Sequence, residues 1–231
     1  MHDAGYKIHR RMTQGAPREY LMHIRREYSK ADLRACEYLE LHAPEWSGGV
    51  FSTNGPIELM LNKKARKGHI ASIYLGHCVV SSYLRTVIGH ASLRRVLFRE
   101  TRLTDGFNPI MRMSYSWEEV GGEPWWQITS DLVLPRLSPG SVFIDTYGEP
   151  YVEGQSIGCH LVEGFYFYPE RHYRRSDLAQ VGAFDVALTH ERFGVGPQNS
   201  HRALIISQKV YRLFVEHKVK AGYVPVRVDE D

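Results

Sequence analysis

Ala203-Leu204-Ile205-Ile206-Ser207, then Val210, Leu213 and Phe214, then Tyr223-Val224-Pro225-Val226: this stretch near the end of the chain decides the fold. An apolar run that stops at a serine reads as a strand entering a helix, because the serine oxygen can accept from the free amides of a first turn. Positions 210, 213 and 214 share one helical face, and the apolar residues after the helix read as a closing strand. A fainter copy lies 126 positions upstream, where Val79 and Val80 precede Ser81 and Leu84, Val87 and Ile88 make the helical stripe. Leu97 and Phe98 then fall where Tyr223 and Val224 fall later. The chain is therefore expected to be built from two related strand-helix-strand units.

The rest of the 231 residues fits that picture. Hydrophobic residues make up 43% and charged residues 24%, ordinary values for a folded globular chain and far from those of a disordered one. Net charge is +3 with acids and bases interspersed, so composition alone implies no phosphate-binding surface. No signal-peptide core opens the chain and no apolar run reaches about 18 residues, which points to a cytoplasmic protein without a membrane partner. Cys36, Cys78 and Cys159 are far apart, lacking the Cys-x-x-Cys spacing of a structural zinc site, and are expected to be buried free thiols.

Working outward, residues 6–11 and 19–28 alternate as strands, and Ser29 can start a short helix in the stretch running through Leu41. Residues 57–61 and 70–75 read as buried strands, with the basic run 63–67 between them as a solvated loop. Asp105-Gly106, Asn108-Pro109 and Gly121-Gly122 punctuate a region suited to a hairpin or a domain joint. A strand through Trp125 and Trp126 would put one tryptophan on each face. Ser176 and Asp177 can start a brief helical turn, and residues 184–188 read as a further strand. The predicted class is α+β, strand-rich with at least two amphipathic flanking helices, in an N-terminal half (1–106) and a C-terminal half (107–231) or one continuous domain.

Asp185, His190 and Glu191 carry the groups for acid-base work, so a hydrolase or nucleic-acid-processing enzyme is the rival reading. However, His190 and Glu191 are adjacent, and the Gly194-Val195-Gly196 loop lacks the spacing and lysine of a phosphate cradle. His160, His172, His190 and His201 show no short metal-ligand spacing, so no metal and no cofactor are expected. Ser81 and Ser207 sit in no Gly-x-Ser-x-Gly elbow. Arg171, Arg174 and Arg175, interleaved with Tyr168, His172 and Tyr173, have the composition either of an RNA-contacting patch or of a protein interface.

Phe184-Asp185-Val186-Ala187, Ile205-Ile206-Ser207 with its helix, and the ending Gly222-Tyr223-Val224-Pro225-Val226 together carry a likeness to a known family. They resemble the carboxyl-terminal half of bacterial toxin-immunity proteins, in particular the double-CxxCG myxobacterial-type family, over about the last fifty residues. The paired Cys-x-x-Cys-Gly motifs are missing here, so the resemblance is to cysteine-poor relatives. It implies a cytoplasmic protein that binds and neutralises a cognate toxin of the polymorphic toxin kind, with no catalytic residues. Such inhibition needs a preformed surface of about 800 Å² per partner with a few aromatic or arginine anchors. Trp46, Trp125, Trp126, Tyr173 and Arg174 are the expected partner-binding anchors; binding of nucleic acid is the lesser expectation, and the oligomeric state is left open.

Overall fold

Serine at the end of an apolar strand caps a helix twice in this protein. In the computed structural model, Ser207 holds extended backbone (φ −75°, ψ 165°) and its Oγ accepts from the backbone N–H of Val210. Ser81 (φ −67°, ψ 161°) does the same for Leu84. The structure describes residues 6–10, 22–26, 28–44, 57–73, 77–108, 113–141, 160–162, 165–167, 170–195 and 199–231.

The elements of the amino-terminal part are β1 (Tyr6–Arg10), β2 (Met22–Arg26), α1 (Lys30–Ala35), β3 (Tyr38–His42), β4 (Ile57–Leu59), α2 (Lys63–Gly68), β5 (Ile70–Ile73), β6 (His77–Ser81), α3 (Ser82–His90) and β7 (Leu97–Leu103). They continue with β8 (Gly106–Asn108), β9 (Met113–Tyr115), β10 (Trp125–Thr129), β11 (His160–Val162), β12 (Phe165–Phe167) and β13 (Arg171–Arg174). The chain closes with α4 (Arg175–Val181), β14 (Val186–Val195), β15 (Asn199–Ser207), α5 (Gln208–Glu216) and β16 (Gly222–Asp229). This is an α+β fold. Two five-stranded sheets dominate it, ordered β5-β6-β10-β7-β4 and β14-β15-β3-β16-β13; β1-β2-β12-β11 form a third sheet, and β8-β9 are a hairpin.

The two large sheets are the same sheet built twice. In each, an antiparallel pair leads into the serine-capped helix, with Ile70 opposite Val80 and Ala71 opposite Val79 in one, and Val186 opposite Ile206 and Ala187 opposite Ile205 in the other. In each, a middle strand runs antiparallel to both neighbours, Trp125 facing Ser81 as Tyr38 faces Ser207. An outer strand is parallel to the last, Ile57 lying beside Thr101 as Arg171 lies beside Val226. The duplication therefore covers β4-α2-β5-β6-α3-β7 and β13-α4-β14-β15-α5-β16. The spacing shortens by one after the helix: Arg99 and Val224 stand opposite Gln127 and Glu40, so Phe98 corresponds to Tyr223, one residue off the alignment expected from the sequence.

The middle strands are exchanged. β3 precedes the first unit in the chain but sits in the second sheet, and β10 follows the first unit and completes the first sheet. A boundary between residues 106 and 107 therefore cuts both sheets, and neither predicted half holds a complete one. The strand geometry explains why: Leu39 and Leu41 of β3 enter the core shared by both sheets, whereas Tyr38 packs against a second core on the opposite face.

The shared core joins Leu39, Leu41, Ile70, Val80 and Ile128 to Val186, Leu204 and Ile206, with Leu84 and Ile88 of α3 and Val210 and Phe214 of α5. Each large side chain buried there contributes about 1.5–3 kcal/mol before entropy. α3 and α5 lie side by side and antiparallel. Tyr83 at the start of α3 shares a 2.8 Å hydrogen bond with His217 at the end of α5, and Lys209 at the start of α5 donates to the Ser92 carbonyl just past α3. On the outer faces, α2 covers Leu59, Val79 and Trp125, while α4 covers Tyr173, Ala187 and Ile205.

Three local expectations change. The helix from Ser29 stops at Ala35, closed at its start by a Ser29–Asp32 capping box, and Tyr38 to His42 become the central strand β3 because both of its faces are buried. The basic run 63–67 is not a loop but α2, capped by Asn62 and seated through the small buried residues Ala65 and Gly68. Ser176 lies inside α4 and donates to Asp231 rather than capping the helix. Cys36 and Cys78 are free thiols; Cys78 is buried as expected, Cys36 is only half-buried, and Cys159 lies outside the described residues. Among the described residues, no helix is long and apolar enough to cross a membrane.

Candidate protein-docking site

Alternation along β10 separates the two adjacent tryptophans. Trp125 points into the outer core against α2 and is 1% exposed, while Trp126 points to the opposite face at the rim of the shared core. Tyr173 on β13 is fully buried in the other outer core, under α4. Two of the expected anchors are therefore interior rings that hold sheets to helices and present nothing to a partner. Arg174 is exposed at the start of α4, Trp126 is half-buried, and Trp46 lies outside the described residues.

Trp126 is roofed by an arginine. The Arg85 guanidinium, reaching from the exposed side of α3, lies 3.9 Å from the centre of a Trp126 ring and 5.7 Å from that of Phe98. In the second unit the corresponding positions are Tyr211, Leu39 and Tyr223, and there the two tyrosine rings meet edge to face at 4.9 Å. Tyr211 and Leu39 are fully interior, and α1 packs over this strip of β16, adding Leu33 and Cys36 to the shared core. The segment before β10 does otherwise: it forms turns over residues 117–122 and buries Val120 in the outer core. Among the described residues, the Arg85–Trp126–Phe98 face thus lacks the helix that covers its counterpart, and Leu97 beside it is 43% exposed.

The groups offered for catalysis are drawn into the framework. Asp185 Oδ1 accepts from Ser207 Oγ at 2.6 Å and Oδ2 from the Arg94 amide at 2.8 Å, so this carboxylate ties the helix cap to the loop after α3. Glu191 Oε1 accepts from the Leu137 amide, holding the segment that crosses β14. His190 is exposed on that strand, and its carbonyl accepts from Arg202. These three do not converge. Neither does the arginine-rich segment: Arg171 is buried against Glu40, and Arg175 is paired with Glu37 and Glu230.

A buried ionic centre had no signal in the sequence. Arg171 reaches both oxygens of Glu40, at 3.0 and 3.2 Å, and stacks 3.9 Å over the Phe193 ring, while His42 Nε2 lies 3.2 Å from Glu40. Burial alone would push the Glu40 carboxyl up, but Arg171 and His42 outweigh it and hold it at about 2. His201 goes the other way. Burial first, then the neighbouring His77, lowers it to about 4, keeping it neutral near pH 7. His77 is itself lowered by burial, Arg192 and Arg99, and its Nδ1 lies 2.8 Å from Gln127 Nε2. Glu40 and Arg171 are 131 residues apart, so only the strand exchange brings them together. Arg85 was legible in principle: it interrupts the duplicated pattern by setting a cation where the other copy has Tyr211.

Among the described residues, no three histidine, cysteine or acidic side chains are arranged to hold a metal ion. Compared with known proteins, the chain matches no family model, no curated protein and no solved structure.

Proposed function

We propose that this protein acts by docking onto another protein, as an immunity protein that neutralises a cognate bacterial toxin. The observation that carries the reading is the Arg85–Trp126–Phe98 stack at a face that no helix covers among the described residues. Tryptophan and arginine dominate the energetic centres of interfaces, and an arginine already stacked on a ring enters a complex with little conformational freedom left to lose. The duplicated scaffold supports it, since the same position is closed and apolar in the second unit. The kind of partner follows from the resemblance of residues 184–187, 205–207 and 222–226 to toxin-immunity proteins.

The test is a search for a secreted toxin gene beside this one and co-expression with its product, scoring survival and isolation of a 1:1 complex. Arg85→Ala and Trp126→Ala should each weaken the complex by about 2 kcal/mol or more, the range of an interface anchor. A chain that neither protects nor forms a stable complex removes the reading. A complex unaffected by both substitutions moves the interface off this face.

A further inference from the structure

The second sheet serves as an internal control for a surface on the first. α2 shows Lys63, Lys64, Arg66 and Lys67 to solvent and has no acidic residue in its first turn. Its last carbonyls meet the turn after α5, where the Lys220 amide donates to Gly68 O at 3.3 Å and Lys218 is also exposed. Between these cations stand three rings. His69, the α2 C-cap, packs 4.7 Å from Tyr83, which is 46% exposed and lies 5.9 Å from His217, its hydroxyl bonded to that ring. Among the described residues none of the six cations forms an ion pair, and Glu123 stands near His69 as an acid on the rim.

The corresponding junction in the second unit is built differently. Asp185 takes the place of His69, Lys209 that of Tyr83, and Ala91 that of His217. Asp185 is satisfied by Ser207 and the Arg94 amide, Lys209 donates to Ser92 O, and on α4 Arg175 is neutralised by Glu37 and Glu230. That junction is tied by these bonds, yet it holds the same strands and helices in the same register. The fold therefore has no need, at the first one, of an exposed tyrosine and six cations that pair with no acid among the described residues.

We infer that the face formed by α2, Tyr83 and the 217–220 turn is a docking surface for an acidic patch on a partner protein. This rests on the reading that the chain works by docking. Rings at the centre with lysines around them follow the anatomy of a protein interface, where the centre supplies affinity and charged rims steer encounter. Nucleic acid suits it less, because base stacking needs an open ring face and the Tyr83 ring already has His69 tilted against it at 4.7 Å.

Binding of fluorescent poly-L-glutamate to the full chain tests it, with a twenty-residue oligouridylate as the competing probe at the same ionic strength. Lys64→Glu with Lys67→Glu should weaken poly-glutamate binding at least tenfold, and Tyr83→Leu about threefold. Reversal of two exposed cations elsewhere, Arg34→Glu with Arg212→Glu, should change it less than twofold. Equal losses in both double variants overturn the inference, as does tighter binding of oligouridylate than of poly-glutamate. Toxin protection separates the two proposals: a Lys64→Glu, Lys67→Glu chain that still protects fully sinks this surface alone, whereas failure of the wild-type chain to protect sinks the docking reading itself.

Discussion

Converting the buried Glu40–Arg171 pair to neutral side chains is the most demanding test of the duplicated architecture. Both side chains are at most 7% exposed and share two contacts of 3.0 and 3.2 Å. Glu40→Gln takes away the arginine's buried carboxylate, and Arg171→Met leaves the carboxylate with only His42 beside it, so each single change should cost about 3–5 kcal/mol. The double variant should behave otherwise. Gln127 and Ile57 occupy the corresponding positions in the first sheet, so an amide beside an apolar residue already fits this framework. Losing the stack of Arg171 on Phe193 leaves a residual cost of about 1 kcal/mol. Denaturant unfolding of the four proteins should then give a coupling energy of about 5–9 kcal/mol. If the double variant is as destabilised as the two singles added together, within about 1 kcal/mol, the argument from correspondence fails.

The remaining predictions concern pH, caps and chain continuity. His201 is held neutral with its pKa lowered to about 4, so the unfolded chain takes up its proton first and stability should begin to fall below pH 6.5. Glu40 adds a second loss from about pH 4.5 toward 2, because its native carboxyl resists protonation; a flat unfolding midpoint between pH 7 and 4 would contradict the His201 environment. Ser207→Ala removes a helix cap and leaves buried Asp185 short of a donor, costing about 2–4 kcal/mol in thermal unfolding. Ser81→Ala, whose second partner is the half-buried His69, should cost only about 1 kcal/mol, and the reverse order would refute the assignment. Chains 1–110 and 111–231 expressed together should co-elute as a 1:1 complex, while either one alone, lacking the middle strand of its own sheet, should not fold as a monomer; a half that folds as a monomer contradicts the exchange.

What could be read from the sequence was what lies within a few residues. Ser81 and Ser207 cap amides three positions on, so the helices they start were visible in single windows. Trp125 and Trp126 had to face opposite ways, but which of them faced the interior depended on α2, a helix missed because its buried side is only Ala65 and Gly68. Tyr38-Leu39-Glu40-Leu41 followed a good helix start, and only pairing with β15 and β16, more than 150 residues away, makes it a strand. Tyr173 and Arg171 were offered as surface residues on composition, which has no information about a buried glutamate contributed from the other end of the chain. The duplication was visible where its copies share a cap and an apolar stripe, and invisible at β3 and β10, where they share neither residues nor spacing.

Trading middle strands has a bearing on ancestry. Two identical chains, each lending one strand to the other, would assemble the same pair of sheets, so the present chain has the form of such a dimer joined end to end. Once joined, its copies are inherited together but are no longer obliged to match. One can stay closed and keep the scaffold standing while the other loses a covering helix, gathers charge and turns outward, a division of labour that a symmetric assembly cannot evolve one side at a time.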